Sequence, residues 1–187
     1  MAAGKAIIVQ GNALKLKKGD NSEVLFTSEG NKLCYIYGDI MTLLWGEGYD
    51  PAANSLDSDG PVGSNNRNMF EGLYKNTDYI DIPSGRPLQL PNATTKQCYL
   101  SMFEGCTSLT RAPDLPASTV EEGAYQNMFK GCTGLTAAPE LPASSVGPSG
   151  YREMFMDCTS LTSAPTSLDG TTTNNCCWSM FQGCTSL

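Results

Sequence analysis

One sequence pattern recurs at a fixed interval through the second half of this 187-residue chain. Its most regular element is the dipeptide Met-Phe, which begins at Met69 and recurs at Met102, Met128, Met154 and Met180. The last three intervals are equal, and the first is longer by seven residues. The segments YLSMFEGCTSLTRAPDLPAST, YQNMFKGCTGLTAAPELPASS, YREMFMDCTSLTSAPTSLDGT and CWSMFQGCTSL align around it, beginning at Tyr99, Tyr125, Tyr151 and Cys177. A constant period of this length is typical of stacked repeats, because one short unit cannot bury its apolar face alone.

The spacing within a unit predicts one short helix and one short strand. Apolar residues follow the i, i+3, i+4, i+7 order of one helical face, at Tyr125, Met128, Phe129 and Cys132. Gly131 lies where a left-handed residue would end a helix of about two turns. An extended run from Leu135 ends before Pro139, because proline favours an extended residue before it.

Stacking of such units would form a solenoid. Equivalent residues would then lie in columns about 4.8 Å apart, the spacing of neighbouring strands. One column contains a phenylalanine from each unit, a second a leucine, and a third a cysteine. We therefore expect Phe129 and Leu135 to be almost fully buried.

The unit M-F-x-G-C-T-S-L-T-x-A-P-x-L-P-A resembles the BspA-like leucine-rich repeats of bacterial surface proteins, which are common in anaerobic gut bacteria. The resemblance covers residues 66–187. It implies a right-handed leucine-rich solenoid and a role in adhesion or recognition, and it implies no catalytic residues. The chain departs from the pattern in the unit at Met69, where Leu73 replaces the cysteine, at Ser167-Leu-Asp169, and at Cys177 in the tyrosine column. The pattern stops within a unit at Leu187, so we expect further repeats beyond it.

The first part of the chain predicts a cap for the open end of the stack. Residues 6–9, 13–17, 23–27 and 32–37 favour β-strands and are separated by turn residues, which is typical of an antiparallel meander. Asp39 could begin a capping helical turn through Leu44. We therefore divide the chain into a meander and capping helix over 1–45, a turn-rich connection over 46–65, and leucine-rich repeats over 66–187.

Composition excludes several classes of function. The chain contains no histidine, which removes Ser-His-Asp and Cys-His catalytic pairs and imidazole metal sites. A net charge of -7 disfavours nucleic acid, since phosphate binding needs a basic surface. Residues 40–45 form one of the longest apolar runs, which is too short to cross a bilayer, and no secretory signal is visible. We predict a protein that is not an enzyme, holds no cofactor and does not insert into a membrane.

The eight cysteines have two possible interpretations. Four occupy one column on the apolar face, where cysteine acts as a small hydrophobic residue, although a disulfide between stacked units stays open. Zinc would need close pairs, and the sequence offers the adjacent Cys176 and Cys177 alone, so we predict no metal site. Ser55, Asp57 and Asp59 begin like a calcium loop, but Asn66 stands where glutamate is needed, which favours a polar turn.

Residues that change from unit to unit are candidates for an interface, because repeat proteins bind through exposed rows of this kind. The five candidates are Arg111, Asp114, Glu140, Glu104 and Lys130. Arg111 is the strongest, since its guanidinium could bind a carboxylate, a sulfate or stacked sugar rings. The alternative is that Arg111 pairs with Asp114.

These features favour a non-enzymatic recognition or adhesion module that binds a protein or glycan on a host or cell surface. We expect it outside the cytoplasm or on the cell surface, with its signal removed or another export route in use. The alternative is a phage virion component, such as a tail-tip or fibre domain, because a protein released by lysis needs no signal. The sequence does not specify an oligomeric state.

Overall fold

A computed structural model describes residues 8–10, 15–18, 24–27, 33–40, 68–166, 168 and 170–187. These residues contain short strands joined by turns. The strands are β1 (Ile8–Gln10), β2 (Lys15–Lys18), β3 (Val24–Thr27), β4 (Cys34–Asp39), β5 (Ile80–Asp81), β6 (Leu88–Gln89), β7 (Thr119–Val120), β8 (Ser145–Val146) and β9 (Thr171–Thr172).

The predicted fold class, a right-handed leucine-rich solenoid with a strand and a helix in each unit and a β cap, is wrong. The residues described above contain no helix. The repeat-region strands are two residues long and form small parallel sheets, in one of which β7, β8 and β9 are neighbours in that order. The run predicted as a strand from Leu135 forms one isolated bridge, between Ala137 and Ser163.

A left-handed residue at every fourth position explains why the predicted helix does not form. In the unit that follows Glu122, Gly123 has φ 63°, Asn127 φ 57° and Gly131 φ 70°. A right-handed helix cannot continue through such residues, so the segment folds as consecutive β-turns. The Met128 amide, for example, donates to the Tyr125 carbonyl three residues earlier at 3.2 Å. A four-residue turn period produces the same i, i+3, i+4, i+7 apolar spacing as a helix of about 3.6 residues per turn.

Alternate amides of this turn segment bind the next unit. Each donates to the carbonyl of the residue that precedes its equivalent in that unit, while the amides between them close turns within their own unit. The bonds run from Tyr125 to Gly150, from Asn127 to Arg152, from Phe129 to Met154 and from Gly131 to Met156, at 2.8 to 3.0 Å. Turns within a unit and ladders between units therefore share the amides equally, which satisfies the buried backbone without a helix.

The first unit pairs in a register that differs from the sequence alignment. Alignment of the Met-Phe dipeptides would place Phe70 beside Phe103, but Phe70 stacks on Tyr99, and Tyr74 stacks on Phe103. The dipeptide at Met69 is thus displaced by four residues, which is one turn. The amides of Asn68, Gln97 and Gly123 begin successive ladders. The interval from Asn68 to Gln97 is three residues longer than the interval from Gln97 to Gly123, so the first unit, at 68–96, contains three additional residues.

Two ladders of stacked aromatic rings form the centre of the core. One contains Phe70, Tyr99, Tyr125 and Tyr151, and the other Tyr74, Phe103, Phe129, Phe155 and Phe181. Neighbouring ring centroids are 5.2 to 6.0 Å apart with nearly parallel planes. Phe129 and Leu135 are both 0% exposed, so the predicted burial of these two residues is confirmed.

The N-terminal strands do not pair as a simple meander. β1 pairs with β4 and β2 pairs with β3, both antiparallel, so the first strand lies beside the fourth. β4 then pairs in parallel with β5 and β6, through Cys34 opposite Ile80 and Gly38 opposite Leu88. Asp39 is the last residue of β4. Ile40, the next residue of the predicted capping helix, lies in a turn and is buried. Residues 41–44 of that helix, the 46–65 connection and the calcium-like residues from Ser55 to Asn66 lie outside the described residues.

Candidate recognition surface

An open groove of about 500 Å³ crosses three successive units. Its walls are the segment between β5 and β6, at 82–85 and 87, and the equivalent parts of the next two units, at 110–112, 114 and 136–139. Arg111 and Asp114 are its charged lining residues, and prolines, alanines and threonines make up much of the rest. We call this feature the Arg111 groove.

The carboxylate of Asp81 joins the first two units beside the Arg111 groove. It accepts hydrogen bonds from the Ile82 amide at 2.8 Å, the Thr110 amide at 2.9 Å and the Thr110 hydroxyl at 2.7 Å. Asp81 is 8% exposed, and these donors compensate for the burial of its charge. The sequence did not reveal this role, because Asp81 lies in the irregular first unit. Its bond to Thr110 holds the backbone immediately before Arg111.

Arg111 is exposed, and within the described residues its guanidinium makes neither a hydrogen bond nor an ion pair. Asp114 is also exposed and has no ion pair there. The alternative in which these two side chains neutralise each other is therefore not observed. As far as the structure describes the chain, the groove offers an unpaired cation and an unpaired anion to a ligand.

The other three candidates make contacts between units and do not line the Arg111 groove. Glu140 accepts hydrogen bonds from the Thr166 amide at 3.1 Å and hydroxyl at 2.8 Å. Glu104 pairs with Lys75 at 3.0 Å, and Lys130 pairs with Glu153 at 2.7 Å. Such partly exposed ion pairs stabilise a protein by about 0 to 1 kcal/mol. The structure therefore brings two of the five predicted residues together.

Arg86 adds a second cation near the groove that sequence reasoning missed. It lies between groove residues Gly85 and Pro87, its guanidinium carbon is 5.3 Å from the centroid of the Tyr37 ring, and it donates to the Tyr37 hydroxyl at 3.3 Å. Tyr37 belongs to β4, so this contact also joins the N-terminal strand to the first unit. No repeat pattern marks either residue, which is why the sequence did not signal the pair.

The thiols of the cysteine column donate hydrogen bonds to the preceding unit. Their acceptors are the carbonyls of Tyr74, Phe103, Phe129 and Phe155, at 2.9 to 3.0 Å from the Sγ atoms of Cys106, Cys132, Cys158 and Cys184. The structure describes all eight cysteines and records no disulfide among them, so the alternative of an inter-unit disulfide is not observed. Burial raises the pKa of Cys106 and of Cys158 to about 12. These thiols are protonated donors at neutral pH.

We expect a maleimide to label at most the two half-buried cysteines, Cys177 and Cys184, when the folded protein is treated at pH 7. The thiolate is the reactive form, and a raised pKa leaves little of it below pH 9. After denaturation without a reductant, all eight should react, as counted by intact mass. Fewer than eight labels at that stage would show that disulfides had been present.

Comparison with protein-family models, curated proteins and solved structures finds no match for this chain. Across the ranges that the structure describes, no helix has the length and apolar character needed to cross a bilayer. The same ranges contain no group of three or more cysteine or acidic side chains arranged to hold a metal ion.

Proposed function

We propose that this protein is a non-enzymatic recognition or adhesion module that binds a surface glycan or protein through the Arg111 groove. The unpaired guanidinium of Arg111 carries the proposal. An exposed arginine that is neither paired nor packed is available for a charge-assisted, bidentate hydrogen bond to an acidic ligand.

The shape of the groove favours an extended ligand over a compact one. Successive units repeat equivalent backbone segments along it, so a chain molecule can meet similar contacts at regular intervals. Pro83 and Pro139 offer rigid apolar surface, Thr136 offers a hydroxyl group, and the Thr110 hydroxyl, which donates to Asp81, can accept a further hydrogen bond. A glycan with carboxylate or sulfate groups has this combination of apolar ring faces, hydroxyls and negative charge, with Asp114 available to accept from its hydroxyls.

The same surface offers little to support catalysis. The carboxylate of Asp81 already accepts three hydrogen bonds, and the column thiols are held as protonated donors. A nucleophile would need a neighbouring base to remove its proton. The chain has no histidine to serve as that base.

Exposure to an oxidising surface environment is compatible with reduced thiols in the cysteine column. Disulfide formation requires thiolates and access, and burial together with hydrogen bonding limits both for the column cysteines. The proposed location is therefore the cell surface or the extracellular space, in agreement with the resemblance of the repeat unit.

Arg111→Ala is expected to raise the Kd for an acidic glycan about tenfold, because a charge-assisted hydrogen bond is worth about 1.5 kcal/mol. Sulfated and uronic-acid glycans, neutral glycans and extracellular matrix proteins form the screen from which the ligand is taken. Binding is measured by calorimetry and stability by thermal melting, and the melting temperature should not change.

Two matched variants separate recognition from structure. Lys130→Ala removes the same charge from an ion-paired side chain outside the groove, and should leave the Kd unchanged. Glu140→Ala should lower the melting temperature slightly without affecting binding, because it removes the acceptor of two Thr166 hydrogen bonds. Equal affinity of the wild type and Arg111→Ala for the selected ligand would contradict the proposal.

A further inference from the structure

The adjacent cysteines of the last unit differ from every thiol in the column. The Sγ atoms of Cys176 and Cys177 are 3.1 Å apart and in hydrogen-bond contact with each other. Cys176 is 7% exposed, whereas Cys177 is half-buried, so the pair lies at the protein surface with one sulfur beneath the other. The column thiols instead donate to backbone carbonyls.

The two sulfurs of the pair differ in their access to solvent. Cys177 is half-buried, whereas Cys176 is 7% exposed, so an oxidant in solution meets the Cys177 sulfur first. Burial raises the pKa of Cys177 to about 12, helped by its hydrogen bond to Cys176. Little of the reactive thiolate of Cys177 is present at neutral pH, so the first attack is slow.

The geometry does not fit a tetrahedral metal site. Zinc bound to thiolates at about 2.3 Å separates its sulfur ligands by about 3.8 Å, which is wider than the observed contact. The described residues also supply no third ligand. A separation of 3.1 Å is instead shorter than the ordinary van der Waals contact of two sulfur atoms, and one movement of the side chains would form a bond of about 2.05 Å.

We propose that Cys176 and Cys177 form a reversible dithiol–disulfide site whose oxidant is a low-molecular-weight disulfide. Cys177 loses its proton to solvent and attacks one sulfur of the oxidant, whose S–S bond breaks, and the first small thiol leaves after taking up a proton. Cys176 then loses its proton and attacks the Cys177 sulfur, which forms the Cys176–Cys177 bond and releases the second small thiol. The two protein thiols are oxidised by two electrons, and the small disulfide is reduced to two thiols.

The ring formed in this way is strained and should be easily reduced. Neighbouring Cα atoms are about 3.8 Å apart, below the roughly 4.4 to 6.8 Å that disulfides usually span. The peptide group inside the ring contains the Cys176 carbonyl, which accepts the Tyr151 amide at 2.8 Å. Twisting that peptide group should weaken a bond that holds the last unit to the one before it.

The test uses the full chain and glutathione disulfide. After incubation the protein is unfolded in acid, free thiols are alkylated, and chymotryptic peptides are analysed by mass spectrometry. We expect the peptide with Cys176 and Cys177 to be unalkylated and lighter by two hydrogen atoms, with two equivalents of glutathione released. The peptides of Cys106 and Cys132 should be fully alkylated. Exchange of the Tyr151 amide with deuterium should become at least tenfold faster on oxidation.

The Cys176→Ser variant identifies the order of attack, since it should retain one glutathione as a mixed disulfide on Cys177. Three results would overturn the proposal: a stable mixed disulfide in the wild type, a bond from either cysteine to Cys184, or an unmodified pair when the Cys176→Ser variant does accept glutathione. Unchanged Tyr151 exchange in the oxidised protein would overturn the proposed effect on the last unit.

Discussion

The Leu135→Asp variant should lose the cooperative unfolding transition of the repeat region. Leu135 is 0% exposed and lies in one column with Leu109 and Leu161, which are equally buried. Removing a buried leucine side chain costs about 2 to 5 kcal/mol, and an unpaired buried carboxylate adds several more. The sum approaches the whole stability of a typical domain, about 5 to 15 kcal/mol. Urea unfolding followed by circular dichroism measures the loss.

Thr136→Asp is the matched control. Thr136 is the next residue along the chain, but its side chain is exposed, so the same new charge stays in water. Its unfolding midpoint should be close to that of the wild type. A Leu135→Asp protein that still unfolds cooperatively, with a wild-type midpoint, would mean that the leucine column is not part of the core.

Phe129→Ala should destabilise the protein by about 3 to 5 kcal/mol, the usual cost of removing a buried phenylalanine ring. Phe129 lies between Phe103, at 5.6 Å between centroids, and Phe155, at 5.5 Å. Its loss leaves a cavity in the middle of a ladder that the hydrogen-bonded backbone cannot close. The change in unfolding free energy is obtained from the urea midpoint and slope.

Phe181→Ala tests whether position in the ladder determines this cost. Phe181 has the same side chain and column, but it is partly exposed and stacks on Phe155 at 5.4 Å, its recorded ring partner among the described residues. We expect a loss of about 1 to 2 kcal/mol. Equal losses for the two variants would argue against a stacked core.

The sequence predicted which residues share a column better than it predicted the local backbone structure. Period and column membership follow from residue identity, so Phe129 and Leu135 were correctly assigned to the interior. The prediction of a helix was wrong because turns that repeat every four residues and a helix give the apolar side chains the same spacing. Gly123, Asn127 and Gly131, at four-residue intervals, favour left-handed backbone and could have distinguished the two. Glu153 at an equivalent position hides that signal.

The sequence located exposed positions of the candidate surface but not the partners of the charges there. Variation between units identifies exposed positions, and Arg111 and Asp114 are exposed as that variation indicates, while their role in binding stays a prediction. It cannot distinguish a free charge from a paired one, so it also selected Lys130 and Glu140, whose partners lie in other units. The wall between β5 and β6 belongs to the irregular first unit, where no repeat comparison is possible. Contacts between residues that are distant in the sequence, such as Arg86 and Tyr37, have no sequence signature.

Amides of the turn segment alternate between acceptors in the next unit and acceptors in their own turn. The role of each residue there therefore depends on its parity, that is, on whether it lies an odd or an even number of residues from the start of the segment. Deleting one residue between Gly123 and Gly131 would exchange the two sets of amides, so that those meant for the neighbour would face their own turn. Adding or removing one complete unit preserves this alternation, because each unit then meets its neighbour in the same way as existing units do. The first unit contains three additional residues, and they fall outside the turn segment, in the part of the unit that includes the groove wall. The length of a unit can therefore vary in the wall of the Arg111 groove while the ladder stays in phase.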